Sequence, residues 1–273
     1  MPLLDALRKY SYYMYSIFEL LLGFENPLLL IKIYLNFTPP GVKTVGLRRP
    51  HLIFKVRGAM DVWSIKETFL DRFYEKYGFV VGPAWNIIDI GAGIGDYALY
   101  AATAQSTGRV LAFEPYPESF VLMQENLRSN GISNVQAFNE AIGASTGELI
   151  LDLTSGEPLQ FQSRLEEVVS IKQSLSVQSL SLADVLTNFK LDSCDLLKLD
   201  CEGAEYSILF NTPQSVLERV QRIVMEYHDN LVPHSHAELV SFLNERGFQV
   251  ETFPNPVHPH LGYLRARRKI SER

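Results

Sequence analysis

Apolar positions along the chain fall into short runs separated by helically spaced stripes. Asn86–Ile90, Arg109–Glu114, Val135–Asn139, Leu196–Asp200 and Arg222–Tyr227 have strand length and strand composition. Between them, Asp96–Gln105, Glu118–Asn130, Leu182–Asn188 and Ala204–Phe210 predict helices, with Gly108 and Gly131 near two of their ends. Alternating strands and helices imply an α/β domain with a mostly parallel sheet covered on both faces, because parallel neighbours need right-handed crossovers. A helix over His236–Arg246 and strands over Phe248–Phe253 and Gly262–Arg268 finish the pattern with an antiparallel edge. Gly147–Leu153 and Ser174–Gln178 read as an inserted antiparallel pair, joined by the polar stretch Thr154–Arg164, the expected mobile loop.

Upstream, Leu52–Arg57 predicts a strand, and Ile65–Tyr77 an amphipathic helix with Ile65, Phe69, Phe73 and Tyr77 at i, i+4 spacing. Leu3–Phe37 is rich in Leu and Tyr. Asn26-Pro27 divides it into two helices, and Thr38-Pro39-Pro40-Gly41 ends the second. Glu19, Glu25 and Lys32 interrupt it before the roughly 20 apolar residues that span a bilayer, so no transmembrane segment is expected. No small-residue cleavage site follows the Tyr10–Phe18 run, which argues against a signal peptide. The expected organisation is an N-terminal helical extension over 1–50, acting as a cap, a homodimer contact or a peripheral membrane contact, followed by one domain over 51–273.

With 273 residues, 47% of them hydrophobic, the chain can bury a large core. A net charge of −6 argues against a general nucleic-acid partner, since neutralising phosphates needs a basic face. The exception is the cluster Arg265, Arg267, Arg268, Lys269 and Arg273, read as a solvated end or a contact for an anionic partner. Two cysteines, Cys194 and Cys201, suit reduced thiols and a cytoplasmic location, and no zinc-ligand spacing is present.

The chemistry concentrates at Asp89-Ile90-Gly91-Ala92-Gly93-Ile94-Gly95-Asp96-Tyr97, where a strand runs through an acid into three alternating glycines and opens a helix. Such glycines turn the chain sharply and let a ligand approach the main chain. A dinucleotide site would place its third glycine at position 96, which is Asp, and the carboxylates of Asp89 and Asp96 oppose a pyrophosphate. S-adenosylmethionine has no phosphate and carries a sulfonium and an ammonium, so the same acids attract it. Glu114, 19 residues after Gly95 and at the end of the next strand, suits a nucleoside ribose in either case.

A second cluster follows. Lys198, Asp200 and Glu202 alternate along one strand end, and Glu226 and His228 do so along the next. Open parallel sheets bind ligands beyond the carboxyl ends of their strands, where Asp200 and Glu202 lie. A salt-bridged strand end is the structural alternative.

Asp89 to Gly95, Glu114-Pro115, Ala141-Ile142-Gly143, Ser181-Leu182-Ala183-Asp184 and Lys198 to Glu205 together resemble the FkbM family of S-adenosylmethionine-dependent methyltransferases. The sharpest element is Lys-x-Asp-x-Glu-Gly-x-Glu, matched by Lys198, Asp200, Glu202, Gly203 and Glu205, and the similarity runs from about His51 to His228. The resemblance implies a Rossmann-like seven-stranded methyltransferase sheet and O-methylation of a hydroxyl on a sugar, a glycan precursor or a natural product. It places Asp89, Gly91, Gly93 and Gly95 around the methionine part of the cofactor, Glu114 on the ribose, and Asn139-Glu140-Ala141 beside the adenine. Ala92, Tyr97, Pro115 and Asp200 complete that expected set, and Arg57, Asp61 and Glu67 are expected to close over it.

For transfer to an aliphatic hydroxyl, Asp200, Glu202 or His228 is the expected base. A divalent metal held by Asp200, Glu202, Glu226 or His228 is the alternative way to activate the oxygen. Rival functions are an NAD(P)-dependent reductase, opposed by Asp96, and a non-catalytic S-adenosylmethionine-binding module, opposed by Asp200 and Glu202. The acceptor, a small molecule or saccharide, and the oligomeric state stay open.

Overall fold

In the computed structural model, which describes residues 2–105, 108–158, 162–164, 173–229, 231–255, 257–258 and 260–269, α1 (Pro2–Gly23) and α2 (Pro27–Tyr34) precede a hairpin of β1 (Lys43–Leu47) and β2 (Leu52–Val56). Next come α3 (Ala59–Phe69), a π-helical turn (Tyr74–Gly78), β3 (Asn86–Ile90), α4 (Asp96–Ala104), β4 (Arg109–Phe113), α5 (Pro117–Ser129) and β5 (Val135–Phe138). An excursion of β6 (Ala141–Gly143), β7 (Gly147–Asp152), β8 (Gln162–Arg164) and β9 (Ser174–Ser181) follows. The chain then returns through α6 (Leu182–Asn188), β10 (Leu196–Leu199), α7 (Ala204–Asn211), α8 (Gln214–Leu217), β11 (Arg222–His228), α9 (His236–Glu245), β12 (Phe248–Pro254) and β13 (Leu261–Arg268).

The main sheet has the order β12-β13-β11-β10-β3-β4-β5. β11, β10, β3, β4 and β5 are mutually parallel, and β13 is antiparallel to both β11 and β12. The expected antiparallel edge is thus realised one position in: the reversed strand is β13, and β12 takes the edge. Consecutive strand residues serve opposite cores, as period-two geometry requires. Ile87, Val110 and Leu196 join one cluster with α3, α4 and α5, while Ile88, Leu111 and Leu197 join the other with α6, α7 and α9. Burial on both faces explains why these strands read as nearly continuous apolar runs.

The predicted helix Ile65–Tyr77 is displaced. It begins earlier, at Ala59, and stops at Phe69, because Asp71 folds back onto the fully buried Lys66. The Asp71 amide donates to the Lys66 carbonyl at 3.0 Å and its carboxylate lies 2.6 Å from Lys66 Nζ. Arg72 then takes a left-handed φ of +55°. Phe73 and Tyr77 leave the helical stripe and stack on Tyr263, with ring centroids 5.0 and 5.1 Å away.

Residue 50, the expected end of the N-terminal extension, falls in the turn of the β1–β2 hairpin, whose first strand carried no sequence signal strong enough to be predicted. α1 and α2 pack on the domain: Phe24, Leu30 and Ile33 are buried in the same core as Ile87. Glu19 of α1 lies 3.2 Å from Lys66 Nζ, which joins α1 to α3 through a buried ion triad. No helix among the described residues is long and apolar enough to cross a membrane.

The inserted pair is β7 and β9, extended by β6 and β8 into a four-stranded sheet of order β6-β9-β7-β8. The expected mobile loop Thr154–Arg164 therefore ends in a paired strand, and its residues 159–161 lie outside the described residues. The basic C-terminal cluster is largely strand rather than solvated tail. Arg265 pairs with Glu251 at 2.8 Å, Arg267 lies over the Phe79 ring, and Arg268 donates to the Val220 and Leu217 carbonyls. Arg273 lies outside the described residues. Both cysteines are free thiols.

Candidate active site

The glycine turn is held from both sides. Gly91 and Ala92 amides donate to the Phe113 carbonyl at 3.1 and 3.0 Å, and Lys198 Nζ donates to the Gly91 carbonyl at 2.9 Å. Gly91 has φ +71°, and a Cβ there would lie 1.9 Å from the Asp200 carbonyl oxygen, so β3 and β10 can meet only if position 91 is glycine. The Glu114 carboxylate accepts the Gly93 amide at 2.8 Å and the Tyr116 amide at 2.9 Å. Burial pushes its pKa up to about 7 against these two bonds and the Arg57 charge.

Asp89 lies opposite Lys198 in the β3–β10 register, 3.1 Å from its ammonium. The carboxylate is fully buried, and burial raises its pKa to about 6 despite Lys198. In turn, Asp89, Asp200 and Asp96 hold the Lys198 ammonium above the usual lysine range, overcoming its burial.

Above this floor, at the carboxyl ends of β3, β4, β10 and β11, opens a cleft of about 410 Å³. Of the expected residues, Gly91, Gly93, Glu114, Pro115, Ala141, Asp200, Glu202 and His228 line it, as do Asp96, Glu67 and Glu226. Asp89, Ala92, Gly95, Tyr97 and Glu140 are not among its lining residues. Asp89 is spent on Lys198, which sits between it and the cleft-lining Asp200. Ala92 is buried, and Gly95 packs on Met123 as it opens α4 at φ +85°. Tyr97 is buried edge-on against Tyr74, with centroids 5.0 Å apart. Arg57 and Asp61 form a 2.7 Å ion pair, and Arg57 also donates to Ser119 of α5, so this pair braces β2 and α3 rather than facing the cleft.

The far side of the cleft is built from carboxylates. Tyr74, from the π-helical turn, donates to Asp200 Oδ2 at 2.6 Å, and Lys198 Nζ lies 4.0 Å from the same oxygen. Trp63 Nε1 donates to Glu67 at 2.8 Å, and burial pushes the Glu67 pKa up to about 8, with the Asp200 and Asp71 charges adding to the shift. Asp96 accepts the Thr68 hydroxyl and is raised by burial. Glu226 is held well above the usual carboxylate range by burial and by the Asp200 charge.

His228 faces acids at both ring nitrogens: Nδ1 is 3.3 Å from Glu205 and Nε2 is 3.8 Å from Glu202. Burial opposes its charge, yet Glu205, Glu202 and Glu226 together hold its pKa well above the ordinary histidine value. These acids favour the charged ring, which has no lone pair with which to take a proton. Burial moves Glu202 up to about 7, against the His228 charge. Asp200, Glu226 and His228 offer three ligand atoms within 4.8 Å of one another, the arrangement behind the metal alternative.

The Lys-x-Asp-x-Glu-Gly-x-Glu string now separates into roles. Lys198 braces the floor and Asp200 faces the cleft. Fully buried Glu205 accepts the Cys201 amide at 2.7 Å and the Gly203 amide at 2.9 Å, closing the turn between β10 and α7. Glu202 and Gly203 both have positive φ in that turn, +51° and +97°. Sequence reasoning missed Met60, Trp63, Ser64, Tyr74, Asn255, His258 and His260 on the cleft wall. Gly58, which precedes the first turn of α3, was the available sign that the helix begins early enough to present Met60, Trp63 and Ser64.

The Methyltransferase FkbM domain family matches residues 89–250. Among curated proteins, the chain is 27% identical to Methyltransferase 1 of Beauveria bassiana, over 68% of this chain and 80% of that protein. It is 24% identical to the 31-O-demethyl-FK506 methyltransferase FkbM of Streptomyces tacrolimicus, over 79% of this chain and 92% of that one. It is 22% identical to the hexuronic acid methyltransferase AglP of Haloferax volcanii, over 73% and 83%.

Proposed function

The chain belongs to the FkbM methyltransferase family, and from that membership we propose that it is an S-adenosylmethionine-dependent O-methyltransferase acting on a hydroxyl of a saccharide or natural product. The observation that carries the choice of cofactor is the lining of the cleft: Glu67, Asp96, Glu114, Asp200, Glu202 and Glu226 surround a glycine turn whose nearest ammonium, Lys198, is committed to Asp89. In its ionised form such a rim repels a pyrophosphate and attracts a cation.

The residues present fit the cofactor. The Gly91–Gly93 main chain leaves room for close approach, and Glu114 lies at the strand end where a ribose diol is bound in such folds. Phe113, Pro115, Ala141 and Ile142 give an apolar wall for a base, and Asp96 and Glu67 are placed to face the cationic part. When bound, S-adenosylmethionine supplies a methyl group on a positively charged sulfur.

What the chain itself contributes is orientation and proton management. Asp200 lines the cleft with one carboxylate oxygen fixed by Tyr74, which suits it to accept the proton of an acceptor hydroxyl. Glu202 and the His228 imidazolium bound the same space and balance its charge. The names of two relatives, a 31-O-demethyl-FK506 methyltransferase and a hexuronic acid methyltransferase, support the acceptor class. The test is incubation with methyl-labelled S-adenosylmethionine and hydroxyl-bearing saccharides or natural products. A labelled product stable to alkali is expected, as a methyl ether is; label on nitrogen or carbon would contradict O-transfer.

The three-atom cluster of Asp200, Glu226 and His228 favours one second reading, a divalent ion that polarises the hydroxyl. Engagement of both His228 nitrogens by acids speaks against it. Activity that survives exhaustive chelation is the expected result; its loss, with rescue by one added metal, would favour the ion.

A further inference from the structure

Beside the polar cleft lies a second cavity of about 620 Å³ with a predominantly apolar lining. Its outer wall comes from α1 and α2 through residues such as Tyr12, Ile17, Leu20, Leu30 and Ile31. Met60, Trp63, Glu67, Asn255 and His258 line both spaces, so the two meet along these side chains. Glu67 is the one acid of the apolar groove, and no Lys or Arg is among its described lining residues. Its carboxylate is turned by the Trp63 indole at 2.8 Å, at the border where the lining changes from charged to apolar.

The groove is held by specific contacts. Lys66, fully buried in α3, pairs with Asp71 and with Glu19 of α1, and its ammonium lies over the Tyr12 and Trp63 rings at 5.3 and 5.0 Å. Breaking such a buried ion cluster is costly, so α1 is fixed at a defined distance from α3. Between them the helices leave an apolar channel that meets the cleft along Met60, Trp63 and Glu67.

We propose that this groove receives the apolar chain of the methyl acceptor, which makes the acceptor an amphiphile: a hydroxyl-bearing head near Asp200 and an extended hydrocarbon or isoprenoid-like tail along α1 and α2. The proposal rests on the methyl-transfer reading above. It is favoured by adjacency: Met60, Trp63 and Glu67 of α3 line the polar cleft and the apolar groove alike. A wholly polar acceptor would leave that apolar surface facing water. Residues 1–50, outside the stretch matched at 89–250, thereby gain a role in selecting the acceptor.

The experiment uses the full chain saturated with S-adenosylhomocysteine and a series of n-alkyl β-D-glucosides, from ethyl to decyl, each below its micelle concentration. Binding is read from Trp63 emission in a Trp85→Phe background and by calorimetry. Affinity is expected to rise by roughly fourfold per added methylene as chain length increases. Ile17→Glu and Ile31→Glu replace groove residues that are 49% and 43% exposed, positions where a charge is compatible with folding. Each should flatten the series while leaving S-adenosylhomocysteine affinity unchanged. A flat series in the parent protein, or a rise that survives both substitutions, overturns the proposal while methyl-donor binding stands. Loss of S-adenosylhomocysteine binding in the parent protein overturns the methyl-transfer reading, and the proposal with it.

Discussion

On the β3–β4 side of the cleft, the polar groups lining it are main-chain atoms and one carboxylate pinned by two amides, beside the apolar wall of Phe113 and Pro115; on the β10–β11 side, they are side chains gathered from α3, the start of α4, the π-helical turn, β11 and the turn after β10. The first side is rigid by construction, since Gly91 is hydrogen-bonded to both Phe113 and Lys198 and the Glu114 carboxylate holds the Gly93 and Tyr116 amides. The second holds several acids whose protonation is displaced by burial and by one another. Cofactor recognition needs geometry that does not change; acceptor activation needs groups that can gain and lose a proton. The proposed function assigns the first requirement to the β3–β4 side and the second to the β10–β11 side.

The largest break in this comparison is expected where the two sides touch. Gly91→Ala would push a Cβ to 1.9 Å from the Asp200 carbonyl at φ +71°, displacing β10 and the turn together. Calorimetry should find no binding of S-adenosylmethionine, and the melting midpoint should fall. Asp200→Asn acts on one side alone. Turnover is expected to drop by about 10²–10⁴-fold, the range for loss of a general base, while cofactor affinity and melting stay near those of the parent. Equal losses in turnover and cofactor affinity would move Asp200 to the other side of the comparison.

Lys198→Met tests the floor shared by both sides. It strands the fully buried Asp89 carboxylate, and denaturant unfolding should show a loss of about 3–5 kcal/mol. Adding Asp89→Asn should recover much of that loss, because the uncompensated charge goes with it.

The smallest effect expected is on pH dependence. Burial raises Asp89 from 3.8 to about 6, and Glu114 and Glu202 from 4.5 to about 7. Between the unfolded and folded values the native chain holds protons that the unfolded chain has released, so stability falls as pH rises through that window. His228, raised in the fold, loses its contribution in the same direction at higher pH. The apo melting midpoint should therefore decline from pH 5 to pH 8. A cationic ligand that favours ionised carboxylates should reduce the slope when S-adenosylmethionine is present.

The same division explains what the sequence made visible. Backbone-built features leave local signatures: the strands alternate between two cores, Gly91 and Gly93 mark the turn, and Glu114 follows at the interval a βαβ unit dictates. The side-chain half depends on distant contacts. Tyr74 and the end of α3 are placed by Asp71 folding back onto Lys66, a tertiary pairing that overrides the helical stripe of Ile65–Tyr77. Asp89, expected around the methionine part of the cofactor, lies opposite Lys198 in the neighbouring strand, a pairing that no local pattern announces. The short strands β1, β6 and β8 gain their pairing from partners rather than from their own composition.

The proposed guest of the acid-rimmed glycine turn is a phosphate-free cationic nucleoside. Calorimetric titration of the full chain with S-adenosylmethionine, S-adenosylhomocysteine and NAD decides this. One-to-one binding of the two sulfur compounds is expected, tightening for the sulfonium between pH 6 and pH 8, with no heat from NAD. Saturable binding of NAD with none of either sulfur compound would contradict it.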